Sequence, residues 1–477
     1  MGEQFIGPRG TNDLFPPETQ KWVFVEEIIR RKAESFGFQE IRTPIFEHTE
    51  LFSRGIGEGT DIAAKEMYTF IDKGGRSITL RPELTAPAVR AYLQNFPMPG
   101  TRIQDGRKIL QGSPPFVKWC YFGPAFRYER PQSGRYRQFH QFGVEAIGSK
   151  HPDLDIEVIQ FALQVFKSFF LENLEVKLNS IGCSSCRPSY REVLRKHFYD
   201  HLEQLCEDCK THRYEKNPLR ILDCKSQKCA PFILGSPIPI DYLCEECKTH
   251  FNAVQHRLKE LQVPYSLDPR LVRGLDYYTK TVFEVISGSL GAQNSVCGGG
   301  RYDDLIETLG GPSVPAVGFA AGMERLMLLI QDNLPGFKKA PLLYAVPLGE
   351  KAEDFMVPLI FRLREEAEMK KIRLHIERDY QGKNLSAQLK EASRLRADFA
   401  VILGENELNE KKLILKNLNT RKQEDLPLNS IENSQENLKN ISNQILEKIT
   451  VFLEEIKTFE KKFDPVLELK EKINHGK

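Results

Sequence analysis

The sequence has no excess of one charge: 67 lysines and arginines stand against 65 aspartates and glutamates over 477 residues, a formal net charge of +2. A uniformly basic coat for nucleic acid is therefore excluded, and any RNA contact must come from a local patch. There is no apolar run of transmembrane length, so no membrane-spanning helix is expected. Met1-Gly-Glu-Gln-Phe-Ile6 shows no basic-then-apolar leader, and Ile6 stands where a myristoylation signal needs Ser or Thr. The expected location is cytosolic. What is present is an ordinary globular composition, 40% hydrophobic and 28% charged, long enough for about two to four domains. Ten cysteines are present, eight of them between Cys183 and Cys247 and mostly as C-x-x-C pairs. In a cytosolic chain that spacing points to metal or redox chemistry before structural disulfides.

Residues 18–36 carry Trp22, Val25, Ile28, Ile29, Ala33 and Phe36 at helical spacing, closed by Gly37. Ile41–Phe46 reads as a short strand interrupted by Pro44, and Ser77–Ala86 as a strand running into a Pro-marked loop. Residues 155–170 predict a long helix. Residues 183–262 change in composition, holding eight cysteines and five of the ten histidines, and read as an inserted domain. Residues 298–312 are glycine-rich, a triple glycine alone being more often a tight turn, and Val317–Ile330 shows a helical pattern. Leu334–Pro341 reads as a linker. Beyond it, strands at 342–347, 373–377 and 399–403 alternate with helices at 352–370 and 384–396, the pattern of a small α/β domain. Ile441, Ile445, Ile449 and Leu453 predict an amphipathic helix in the tail, which either packs on the protein, pairs with another chain or stays partly disordered.

The most informative stretch is Phe126–Glu145, FRYERPQSGRYRQFHQFGVE. Its two flanks alternate as strands, and Pro131–Gly134 reads as the hairpin tip. Arg127, Arg130, Arg135 and Arg137 offer planar grips for phosphate, and Phe139 offers a face for a base. Charge alone leaves open an exposed basic hairpin with no ligand.

This segment resembles the ATP-binding hairpin of class II aminoacyl-tRNA synthetases. Leu271-Val-Arg-Gly-Leu-Asp-Tyr-Tyr-Thr279 and Cys297-Gly-Gly-Gly-Arg-Tyr-Asp303 resemble the two signature blocks of the histidyl-tRNA synthetase family, and Gly318-Phe-Ala-Ala-Gly-Met-Glu-Arg325 resembles the third class motif. Four motifs in family order cover roughly residues 4–430. The resemblance implies an α/β and α+β multidomain chain. A class II antiparallel-sheet catalytic domain is expected over residues 1–182 and 263–333, interrupted by a mostly helical, cysteine-rich insertion domain at 183–262. A C-terminal α/β anticodon-binding domain follows at 341–430, then a helical or partly disordered tail at 431–477. The Ile41–Phe46 region lies at the dimer interface in the family, so a homodimer is expected by analogy.

The activity implied is ATP-dependent attachment of L-histidine to histidine tRNA through a histidyl-adenylate. Arg127 and Arg273 are the implied catalytic residues, holding the α-phosphate and the substrate carboxylate from two sides. The rival for Arg273 is a salt bridge to Asp276. Phe139 and Arg325 resemble the pair that sandwiches adenine, with Arg127 completing the ATP contacts. Magnesium is expected with ATP, with Glu129 and Glu145 in its neighbourhood. Histidine binding falls to Glu83, Thr85, Arg127, Gln141, Glu145, Arg273, Tyr277 and Tyr278. Glu145 and Tyr278 suit the two imidazole nitrogens, a polar pairing that rejects analogues strongly. Arg130 and Gln132 at the hairpin tip resemble acceptor-stem contacts. Tyr380 and Lys383 sit in a loop resembling the one that faces the anticodon, where a ring stacks on a splayed base. A plain surface loop is the alternative there.

Cys183, Cys186, Cys206, Cys209, Cys224, Cys229, Cys244 and Cys247 suffice for two tetrahedral zinc sites; several synthetases of this family lack most of these cysteines, so zinc is not a family requirement. Unbound or redox-labile thiols are the alternative. The paralogous regulatory subunit of ATP phosphoribosyltransferase is the rival assignment. It lacks the anticodon domain and usually the catalytic residues that are present here. A class IIa synthetase for another amino acid fits the Leu-Asp-Tyr-Tyr block less well.

Overall fold

The computed structural model describes residues 5–462, apart from 58, 97, 99, 133, 172, 289–294, 331–333, 335, 338, 431 and 432. Two compact units are present, Met1–Phe337 and Lys338–Lys477. The expected linker at 334–341 and the tail beyond 462 fall partly or wholly outside the described residues.

In the first unit the strands are β1 (Gln39–Glu40), β2 (Phe46–His48), β3 (Tyr68–Ile71), β4 (Ser77–Leu80), β5 (Thr101–Gln104), β6 (Arg107–Leu110), β7 (Val117–Phe126), β8 (Gln138–Ile147), β9 (Leu174–Ser180), β10 (Tyr265–Leu267), β11 (Thr279–Ser287), β12 (Ser295–Arg301) and β13 (Ala316–Gly322). Eight of them form one sheet in the order β1-β7-β8-β13-β12-β11-β9-β10. Its pairs are antiparallel except β1 with β7 and β10 with β9. Side chains alternate between faces along a strand. Phe142, Val144, Val317, Phe319, Phe283 and Val285 thus enter one core with the helices Glu18–Ser35 and Pro152–Lys167. The intervening positions face the other way and are free for chemistry.

Three expectations need correction. Ile41–Phe46 is not one strand: pairing stops at Glu40 and resumes at Phe46. Pro44 has no N–H to give. The carbonyls of Thr43 and Pro44 instead accept from Arg81 Nη1 at 2.9 and 3.2 Å. Val317–Ile330 is a strand to Gly322 and a helix only over Met323–Ile330. Val317, Phe319 and Ala321 have a period of two, which the short apolar run disguised. The triple glycine at 298–300 likewise lies inside β12 rather than in a turn.

The region from Cys183 to Gln262 is built of the helices Arg187–Tyr199 and Glu245–Glu260 with short turns between them. Helix Glu245–Glu260 is anchored through His250, which sits 3.1 Å from Asp155 Oδ1. Asp155 also accepts from Arg301 Nε at 2.8 Å, an ion pair wholly removed from solvent. A charge pair this deep survives because its partners satisfy it.

In the second unit β14 (Leu342–Pro347), β15 (His375–Arg378), β16 (Phe399–Leu403), β17 (Lys412–Asn417) and β18 (Gln423–Pro427) form a sheet in the order β15-β14-β16-β17-β18. β14 is parallel to both neighbours, and β17 is antiparallel to β16 and β18. The tail helix, Gln435–Lys462, buries Ile441, Ile445, Ile449 and Phe452 in this unit's core.

Candidate active site

Phe139, Gln141, Gly143 and Glu145 share the outer face of β8 because they are two residues apart. In register beside them, Gly318 of β13 lies opposite Glu145 and Gly322 opposite Gln141. A Cβ at Gly318 would lie 1.8 Å from Glu145 Oε2, so only glycine lets that carboxylate sink into the sheet. A Cβ at Gly298 would lie 2.2 Å from a guanidinium nitrogen of Arg273. These glycines of the signature blocks are there to leave room for charged neighbours.

Over this face lies a cleft of about 380 Å³. Arg127, Phe139, Gln141, Arg273 and Arg325 all line it, together with Glu129 and Glu66. Arg127 is aimed by its Nε, which donates to the Pro82 carbonyl at 2.9 Å, and its guanidinium lies 5.3 Å from the Phe139 ring centre. Arg325 Nη1 donates to the Ser295 carbonyl at 2.6 Å, and burial holds its pKa below the ordinary arginine value. Arg273 pairs with Glu284 of β11 and not with Asp276. Burial works most strongly against its charge, but Glu284, Tyr278 and Cys297 together outweigh it and raise its pKa. Asp276 instead accepts from Asn217 Nδ2 and Arg220 Nε, each at 3.0 Å. Among the described residues, Gln141 Oε1 and Arg273 Nε of the cleft are buried without a hydrogen-bond partner.

The remaining expected residues form the floor. Glu145 is 0% exposed and accepts from Tyr302 Oη at 2.5 Å and Tyr121 Oη at 3.0 Å. Burial pushes its pKa up to about 8, against the pull of Tyr302, Thr85 and Tyr121. Glu145 is not among the residues lining the cleft, whereas Glu129 is. Glu83 receives the backbone N–H groups of Thr85 and Ala86 at 2.7 and 2.8 Å, closing the start of helix Thr85–Asn95, and burial raises its pKa. Tyr277 and Tyr278 pack at 4.7 Å between ring centres, with Tyr302 5.7 Å from Tyr277. Burial raises the pKa of all three phenols, which remain neutral donors and acceptors. Tyr121, Tyr302, Glu284 and Glu66 escaped the sequence reading. Tyr302 lay inside a signature block without a role, and the others become visible only through strand register and chain crossing.

The other expected contacts lie at the surface. Arg130 and Gln132 are exposed at the hairpin tip, where Gln132 and Arg135 exchange backbone hydrogen bonds at 3.1 and 2.9 Å. In the second unit Tyr380 is 75% exposed, with the Arg378 guanidinium 5.0 Å from its ring. Lys383 is half-buried, 3.8 Å from both Asp379 and Glu391.

The eight cysteines of residues 183–247 form two nested clusters. Cys183, Cys186, Cys244 and Cys247 make the outer one, and Cys206, Cys209, Cys224 and Cys229 the inner. Within each, all sulfurs lie within 4.8 Å of one another. Measured separations are 3.7 Å for Cys183–Cys186, 3.9 Å for Cys183–Cys244 and 3.7 Å for Cys206–Cys224. Four thiolates around one zinc stand about 3.8 Å apart, so both clusters fit a tetrahedral ion. Backbone N–H groups of Cys206 and Cys244 reach Cys229 and Cys186 sulfurs at 3.2 and 3.1 Å, the donors a thiolate uses.

Residues 10–326 match the family model described as histidyl-tRNA synthetase, and residues 343–437 match that of an anticodon binding domain. The chain is 48% identical over 437 residues to the histidine--tRNA ligase of Thermoanaerobacter sp. (strain X514), covering 91% of this chain and 99% of that protein. The crystal structure of apo S. aureus histidyl-tRNA synthetase is similar with a TM-score of 0.69 and 37% identity, over 89% of this chain and 98% of that one. A Bacillus halodurans structure titled as an ATP phosphoribosyltransferase regulatory subunit/histidyl-tRNA synthetase shares the fold alone, at 18% identity and a TM-score of 0.55, over 83% of this chain and 97% of that one. With these matches running through both units, the chain belongs to the histidyl-tRNA synthetase family.

Proposed function

We propose that the chain attaches L-histidine to histidine tRNA in two steps. A carboxylate oxygen of histidine attacks the α-phosphorus of ATP, and the bond to the bridging oxygen breaks to release pyrophosphate. The tRNA 3′-terminal hydroxyl then attacks the activated carbonyl and AMP leaves. The observation that carries this reading is the placement of Arg127 and Arg273 in one cleft above the buried Glu145. Two guanidinium groups neutralise charge developing at the α-phosphate and hold the nucleophile against it. Arg273 keeps its charge and aim through Glu284 until phosphate displaces that partner.

Adenine fits between Phe139 and Arg325. Glu129 and Glu66 are the acids that would hold magnesium accompanying ATP, which would neutralise phosphate charge there. The Gln141 oxygen awaits the substrate ammonium, alongside Glu83 and Thr85. Glu145, ringed by hydroxyls, and Tyr278 meet the imidazole nitrogens, and Tyr277 closes the wall. Arg130 and Gln132 meet the acceptor stem, and Tyr380 and Lys383 the anticodon. The regulatory-subunit reading loses ground because the whole constellation is present and a second unit with an anticodon-binding match follows.

The catalytic portion spans residues 1–182 and 263–333, with 183–262 as its insertion domain, 341–430 as the anticodon-binding domain and 431–477 as the tail. Each four-cysteine cluster holds a structural zinc ion. The protein works in the cytoplasm as a homodimer, a state supported by the exposed apolar Phe46, Phe70 and Ile71 on the three-stranded sheet β2-β4-β3. Among the described residues no helix is long and apolar enough to cross a membrane.

Pyrophosphate exchange with each amino acid in turn tests the activity. Exchange is expected with histidine, and exchange with threonine or proline in its place refutes the assignment.

A further inference from the structure

Among the cleft-lining residues, Arg220 and Asp223 alone come from the cysteine-rich region. Both lie on the turn Pro218–Asp223, which ends one residue before Cys224 of the inner cluster. Arg220 grips the first signature block twice: Nε donates to Asp276 Oδ1 at 3.0 Å, and Nη1 donates to the Gly274 carbonyl at 2.8 Å. Asn217 Nδ2 joins at Asp276 Oδ1, also at 3.0 Å. The turn is in turn tied to the cluster. Arg213 Nη1 donates to the Arg220 carbonyl at 3.0 Å, and Arg213 Nε donates to Asp208 at 2.7 Å, between Cys206 and Cys209. Asp276 is flanked by Gly274, next to Arg273, and by Tyr277 and Tyr278.

We propose that Arg220 is a positioning residue for adenylate formation, through which the zinc-filled inner cluster holds the first signature block in place. The inference rests on the synthetase reading of the cleft and adds a part to it. Planar arginine suits the task because one guanidinium reaches a carboxylate and a carbonyl at once. The block it fixes carries Arg273 and both tyrosines of the histidine pocket. The adenine contacts, Phe139 and Arg325, belong to β8 and helix Met323–Ile330 and not to the signature block that this turn fixes. A loosened block therefore harms histidine placement and the chemical step more than ATP binding.

The test uses the full chain purified with zinc in the growth medium and without chelator. Zinc content, melting temperature, and separate KM values for histidine and ATP are measured for the parent, Arg220→Ala, Cys224→Ser and the double variant. Arg220→Ala is expected to keep two zinc ions and the parent's melting temperature. Its kcat in pyrophosphate exchange should fall about tenfold and its KM for histidine rise about fivefold, with KM for ATP within about twofold of the parent. Cys224→Ser should lose one zinc ion and show the same split. The double variant should lose no more than Cys224→Ser, since both changes break one linkage. Parental constants for Arg220→Ala, an additive double variant, or fewer than two zinc ions in the parent would each overturn the proposal. If the alanine variant does not fold, Arg220→Lys serves instead, because lysine cannot hold both partners: a raised KM for histidine supports the proposal and parental constants overturn it. A parent with no histidine-dependent exchange fails the synthetase reading itself, a result distinct from a parent that exchanges and a variant that matches it.

Discussion

The eight-stranded sheet closes over a large apolar core shared with the helices Glu18–Ser35 and Pro152–Lys167, whereas residues 183–262 gather a smaller one around Tyr190, Leu194, Phe198 and Ile221. The same division appears in their polar parts. The sheet uses glycines to sink carboxylates and guanidinium groups into its outer face. The insert uses cysteines to fasten turns too short to pack against one another. A region that cannot bury enough apolar surface needs a cross-link or a metal, and the two four-cysteine clusters have the geometry to hold one each. Stability in the sheet comes from area, and with the proposed zinc ions bound, stability in the insert comes from a few strong ligand bonds. The two regions should therefore fail under different insults.

Metal removal is the largest of these. Structural zinc in small sites contributes on the order of 10 kcal/mol. A strong chelator should open the insert to protease while the sheet persists. The two tryptophans, Trp22 and Trp119, both lie in the sheet unit and report on it separately. Loss of tryptophan burial together with loss of the insert would break the distinction.

Arg273→Ala acts on the sheet's chemistry instead. Histidine-dependent exchange should fall by about 10²–10³-fold, the effect of losing one group that stabilises transition-state charge. Melting temperature and zinc content should hold. Unchanged exchange would mean that Arg273 serves only Glu284.

Gly318→Ala tests the room that the sheet leaves for charge. The new methyl would meet Glu145 Oε2 and the Val144 carbonyl, and overpacking of this kind costs about 1–3 kcal/mol. Denaturant unfolding should shift to lower concentration, and histidine binding should weaken because Glu145 is displaced. Parental stability would show that the floor is softer than its packing suggests.

The last test is a pH slope. Glu145 has a folded pKa of about 8 against an ordinary 4.5, so the unliganded folded chain holds a proton that the unfolded chain has released between those values. Its contribution to stability is complete below the ordinary pKa and is lost as pH rises through the folded one, by at most about 1.4 kcal/mol per pH unit. Glu145→Gln removes the titration, so its stability should fall less between pH 5 and 8, two test points spanning roughly that window. Matching slopes would place the proton elsewhere.

Much of this was legible in the sequence, for reasons particular to each element. Phe139, Gln141 and Glu145 could be set on one face because a strand has period two. Ile441, Ile445 and Ile449 could be set on one helical face by spacing alone. Val317–Gly322 misled because a short apolar run does not separate strand from helix. Pro44 warned of an interruption, but the grip of Arg81 on the neighbouring carbonyls is a contact between distant segments. Glu284 as the partner of Arg273 was hidden for the same reason: the rival partner Asp276 is near in sequence, while Glu284 is reached across the turn from the signature block into β11.

By itself the sequence determined which residue types were available and in what order: the signature blocks, the arginines of the hairpin, the cysteine pairs and the alternating pattern of the second unit. These are local properties, carried by propensity, period and spacing. Only the tertiary structure decided which of those residues meet. It gathered the eight cysteines into two separate fours, slid Gly318 under Glu145, supplied Tyr121 and Tyr302 to that carboxylate, and turned Asp276 toward Arg220 and away from Arg273. Such pairings depend on strand register and on chain segments that return from far away, and no local rule fixes either.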